Sequence, residues 1–103
     1  MYRSLPLVLL LAACGEAGPT PLGDSIQRFC DIATEVDADT SLDPAERAMR
    51  IADRSRDEID DDDFARLMAS FATVAPDERT SALRAAAREN GLSEEWSCPV
   101  LER

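Results

Sequence analysis

The chain has 103 residues, 45% of them apolar and 31% charged, a composition that fits one small globular domain and excludes a disordered polyelectrolyte. Its basic side chains are all Arg, with no Lys and no His, and 21 acidic residues against 11 basic ones leave a net charge of −10. Phosphate neutralisation needs clustered positive charge, so this balance excludes nucleic acid as a partner. Aromatics make up only 5%, so the core must be built from Ala, Leu, Ile, Val and Met, and a thin core of this kind calls for a covalent staple. The absence of Lys beside abundant Ala, Arg and Asp reads as a high-GC codon bias, so no chemistry is inferred from Arg replacing Lys.

Residues 1–13 open with one positive charge at Arg3 and continue as a short apolar run from Leu5 to Ala13. The run is too short to span a bilayer, which takes about 20 apolar residues, and fits a secretory signal peptide. Its end, Leu11-Ala12-Ala13-Cys14, resembles the lipobox of bacterial lipoproteins: a branched apolar residue, two small residues, then Cys. The resemblance covers the export segment alone. It implies cleavage after Ala13, a diacylglyceryl group on the Cys14 sulfur and acylation of the new amino group. Two or three acyl chains anchor a protein stably where one does so only marginally. Gly15, where an Asp would favour inner-membrane retention, implies an outer-membrane anchor facing the periplasm.

Residues 14–23 read as the lipidated Cys and a tether, because Gly15, Gly18, Pro19, Pro21 and Gly23 break helix and strand alike. The domain proper is expected over residues 24–103 as an all-α bundle of about four helices with a short C-terminal turn. The first helix is expected from a capping box of Asp24 and Gln27, with Ile26, Phe29, Cys30, Ala33 and Val36 along one face. Asp37, Asp39, Ser41 and Asp43 imitate the opening of a calcium loop, but Leu42 stands where Gly is needed and Ala48 where a bidentate Glu is needed. A solvated loop is the expectation.

Asp43-Pro44-Ala45-Glu46 combines cap, first-turn Pro and capping-box Glu, the clearest helix start in the chain. The second helix is expected to run to about Ile59 and to offer a narrow, mostly small-residue face of Ala45, Ala48, Met49, Ala52 and Ile59 to a neighbour, and Glu46 is placed to pair with Arg50. The run Asp60-Asp61-Asp62-Asp63 reads as the negatively charged start of the third helix, because consecutive helical side chains point in different directions and do not converge on one ion. Phe64, Leu67, Met68, Phe71 and Ala75 make the third helix the expected centre of the core. Pro76 stops it and opens a fourth, whose buried side is Leu83, Ala86, Ala87 and Asn90 and whose end is Asn90-Gly91-Leu92. Ser93 to Trp96 is expected to form a short helical turn, with Val100 and Leu101 as a closing apolar hook.

Three cysteines leave one to be explained. With Cys14 acylated, as the lipobox resemblance implies, Cys30 and Cys98 remain as a pair, and export permits them to form a disulfide. No His means no group titrating in the ordinary physiological range and no imidazole ligand. No Lys means no Schiff base, and paired thiols supply neither nucleophile nor zinc site. The expectation is therefore a non-enzyme without cofactor or metal, attached to a membrane by lipid. Three roles fit: a protein-interaction or accessory lipoprotein, a periplasmic stress chaperone by analogy of architecture, or an envelope component without a specific partner.

Overall fold

The computed structural model describes residues 18–102. The expected signal peptide and Cys14 lie outside them. Four α-helices follow in order: α1 (Pro21–Asp37), α2 (Pro44–Glu58), α3 (Asp62–Ser70) and α4 (Pro76–Glu89). A 3-10 turn (Phe71–Thr73) extends α3, and a second (Pro99–Glu102) ends the chain. The fold is all-α, and among the described residues there is no strand.

α1 starts earlier than its expected Asp24 cap. Thr20 is the cap, its Oγ1 accepting the Gly23 N–H at 3.1 Å, and Pro21 takes the first turn, where a missing N–H costs nothing. The last residues of the expected tether are thus helical, and Gly23 is buried against the end of α4. The Thr20 N–H donates to the Asn90 carbonyl at 2.9 Å, and Thr20 Oγ1 donates to Asn90 Oδ1 at 3.0 Å. Gln27 closes no capping box. Its Oε1 instead accepts the Trp96 indole N–H at 2.8 Å, tying the C-terminal segment across α1.

α1, rather than the expected third helix, is the centre of the fold. α2, α3, α4 and the C-terminal turn all pack on it. The reason lies in its buried face: Ile26, Cys30, Ile32, Ala33 and Val36 are all buried, more than on any other helix. Ile32, three residues from Phe29 and four from Val36, extends the expected face at its edge and is fully buried. The main core joins Ile26 of α1 to Phe64 of α3 and Leu83 and Ala87 of α4, with Leu22, Phe29, Met68, Leu92 and Leu101 packed around them.

The end of α4 follows the expected pattern. Gly91 adopts φ +92°, its N–H bonds to the Arg88 carbonyl, and the Leu92 N–H reaches the Ala87 carbonyl at 3.0 Å. This is a Schellman closure, and it returns Leu92 to the core. Ser93 to Trp96 makes a single hydrogen-bonded turn rather than a helix. Cys98 then bridges to Cys30, with Cα atoms 5.8 Å apart and both residues buried. The expected disulfide is therefore present. Leu101 packs on the core, and its carbonyl accepts the Thr80 hydroxyl.

Candidate functional site

α2 differs from the other helices in having no buried residue. Its start is as expected: Asp43 accepts the Glu46 N–H at 2.8 Å, and the Glu46 carboxylate accepts the Asp43 N–H at 3.2 Å. That second bond turns Glu46 away from Arg50, and the expected pair between them does not form. Ion pairs join α2 to α1. Arg54 donates to Glu58 at 2.6 Å and to Glu35 of α1 at 3.0 Å. Arg28 of α1 pairs with Glu58 and stands 3.7 Å from Glu35. Arg54 and then Arg28 hold the Glu58 carboxyl below its ordinary range, and Glu58 followed by Glu35 raises Arg54.

Among the described residues, the expected small-residue face of α2 meets no helix. Ala45 and Met49 point to solvent, Met49 being 66% exposed. Ala48 and Ala52 line an open groove of about 680 Å³ between α2 and α3. Phe29 of α1 and Phe64 of α3 line its inner part, with ring centroids 5.6 Å apart and planes tilted by 52°. Ile51, Ile59, Ala65 and Met68 complete the apolar lining. A smaller cavity of about 240 Å³ on the α4 side shares Phe29 and Met68 with it. α3 is therefore flanked by space, and Phe64 is its one buried residue. The cause is the short aromatic and aliphatic complement seen in the composition.

The lip of the groove is acidic. Asp60, Asp61 and Asp62 stand along it with Arg56, and the Arg56 guanidinium is paired with Asp53. Asp61 caps α3, accepting the Asp63 N–H at 2.9 Å and the Phe64 N–H at 3.3 Å. It also accepts the Ser25 hydroxyl at 2.6 Å. Asp60 and Asp62 have no ion pair among the described residues. The acid run thus serves the start of α3. Among the described residues, no group of three or more acidic or Cys side chains is arranged to hold a metal ion. The imitation calcium loop closes as an Asp39–Ser41 turn, in which Asp39 accepts the Ser41 N–H at 3.0 Å and the Ser41 hydroxyl at 2.6 Å.

Of the residues singled out from the sequence, the structure brings Cys30 and Cys98 together and gives Asp61 a defined role. Cys14 falls outside the described residues. The groove is the feature that sequence reasoning missed. Its trace was the Ala48 and Ala52 pattern on a helix too poor in large apolar residues to bury a face. No helix among the described residues is long and apolar enough to cross a membrane. No protein-family model, curated protein or solved structure matches this chain.

Proposed function

We propose that this chain is a bacterial lipoprotein, anchored by acylated Cys14 in the outer membrane and facing the periplasm. Its small acidic domain acts as a non-catalytic interaction or accessory module. One observation carries the reading: the Cys30–Cys98 bridge engages two of the three cysteines. That pairing leaves Cys14, at the end of the lipobox-like Leu11-Ala12-Ala13, as the thiol for lipid. It also fits a compartment that permits disulfides. The open groove between α2 and α3 supplies a surface for a partner, and an exposed apolar groove with a polar rim is the common form of such a surface.

The test is metabolic labelling with an alkyne analogue of palmitate, together with the intact mass of the purified protein. The wild-type chain should carry the label and lack residues 1–13. A Cys14→Ser chain should stay unlabelled at precursor mass. Label retained in that variant would overturn the reading.

The stress-chaperone alternative takes support from a separate observation, the pairing of α2 with α1 through Arg28–Glu58 and Arg54–Glu35 on a helix that buries no residue. Acid would protonate Glu58, which Arg54 and Arg28 hold below its ordinary range, and so loosen α2 from α1. Reversible dye binding at about pH 2–3, accompanied by protection of an aggregating client, would favour this role.

A further inference from the structure

The groove's chemistry is more specific than apolarity alone. Its inner lining is Phe29, Phe64, Ile51 and Met68, and its lip carries Asp60 and Asp62 without ion-pair partners among the described residues. Arg56, the basic residue of the lip, is already engaged by Asp53. The chain as a whole carries a net charge of −10. A second copy would bring one acidic lip and one acidic surface against another, and like-charge juxtaposition opposes that contact. An anionic lipid or peptide is opposed for the same reason. The chain's own leader has a single Arg and no amphipathic charge pattern.

The shape narrows the occupant further. The groove is an open slot between two helices joined only by residues 59–61, not an enclosed chamber. The described residues have no strand, and so no sheet edge to which an extended peptide could add. Slots of this kind take an amphipathic helix, which lays apolar side chains at three- and four-residue steps into the floor.

We propose that the groove between α2 and α3 docks a cationic amphipathic helix of a partner protein. Its apolar face rests on Phe29, Phe64 and Met68, and its Lys or Arg side chains oppose Asp60 and Asp62. The proposal rests on the interaction-module reading and adds the site and the partner's chemistry. Affinity comes from burial in the groove, while the acidic lip supplies orientation and selects against anionic helices.

The experiment places a photo-crosslinking benzoylphenylalanine at Ala52 in the full chain, reconstituted in zwitterionic phosphatidylcholine nanodiscs. A control chain carries it at Glu89, which is exposed on α4. The probes are a 14-residue Leu/Lys amphipathic peptide, a scrambled peptide of the same composition and a Leu/Glu counterpart. The Leu/Lys peptide should crosslink at position 52 at least about fivefold more than at 89, and more than either other peptide. Asp60→Asn with Asp62→Asn should cut the yield at 52 by about threefold or more, and added salt should do the same to the wild type. Equal yields at 52 and 89, or equal yields with the Leu/Glu peptide, would overturn the proposal. So would a self-adduct between two copies. The intact mass of the same sample reports lipidation independently, so a missing anchor and an empty groove are separate results.

Discussion

Ser25 and Asp61 join the central helix to the start of α3 through one short hydrogen bond, Ser25 Oγ to Asp61 Oδ2 at 2.6 Å. The other carboxylate oxygen accepts the first free N–H groups of α3. One side chain therefore starts a helix and docks it. Asp61→Ala should destabilise the domain by about 1–2 kcal/mol, and Ser25→Ala by about 1 kcal/mol. Because both act through one carboxylate, the double variant should lose less than the sum of the two, as read in urea denaturation.

The same carboxylate gives stability a pH dependence. Asp61 is held below the ordinary carboxylate range by the Ser25 hydroxyl first, and then by the Phe64 and Asp63 N–H groups. Asp43 is lowered chiefly by the Glu46 N–H, and Glu58 chiefly by Arg54. A depressed native value means that the unfolded chain binds protons more readily. These contributions are fully present above the unfolded carboxylate value of about pH 4 and are lost as pH falls through the lower native values. Thermal melts should shift down on that acid side. Asp61→Asn, which keeps a neutral cap, should flatten part of the slope.

The disulfide closes a loop with a sequence separation of 68. In the chain-entropy account, a loop of this size restricts the unfolded state by about 4 kcal/mol. With so few large side chains in the core, that is a large share of total stability. Cys30→Ala with Cys98→Ala should lower the melting temperature steeply or leave the domain unfolded at 37 °C. Protein from an oxidising compartment should show no free thiol at either position by mass spectrometry after alkylation.

Gly23 is fixed by proximity and not by backbone angle. A Cβ there would stand 2.3 Å from the Asn90 carbonyl oxygen, the same atom that accepts the Thr20 N–H. Gly23→Ala should cost about 1–3 kcal/mol despite the better helix propensity of Ala. Amide exchange should show the loss as faster exchange at Thr20 and around the Asn90 turn.

α2 should be the most easily opened helix, since it buries no residue and is held by partly exposed ion pairs. Exposed pairs are weak and are screened by salt. Arg54→Ala should raise amide exchange in α2 by about two- to fivefold while leaving α1 and α4 nearly unchanged. High salt should have the same effect on the wild-type chain.

Local chemistry was legible wherever a few neighbouring residues settle the outcome. The Asp43–Glu46 capping box, the stop at Gly91 and the helix-starting role of the acid run all follow from backbone groups that need partners within a few positions. The all-α class follows from the helical spacing of apolar residues. The Cys30–Cys98 pairing was legible only through the lipobox resemblance of Leu11-Ala12-Ala13-Cys14, which sets Cys14 aside.

Tertiary structure decided the rest. Periodicity ranks helices by the quality of one stripe, so it favoured the third helix; packing instead chose α1, which buries residues along its whole length where α3 buries Phe64 alone. The start of α1 moved to Thr20 because Asn90, distant in sequence, supplies the contact that orders it. The Ala48 and Ala52 face looked like a helix contact, yet among the described residues no further wall covers it. Sequence spacing states which residues share a face. Whether that face is filled depends on how much apolar volume the remaining chain brings to it, and the described residues leave the groove between α2 and α3 open.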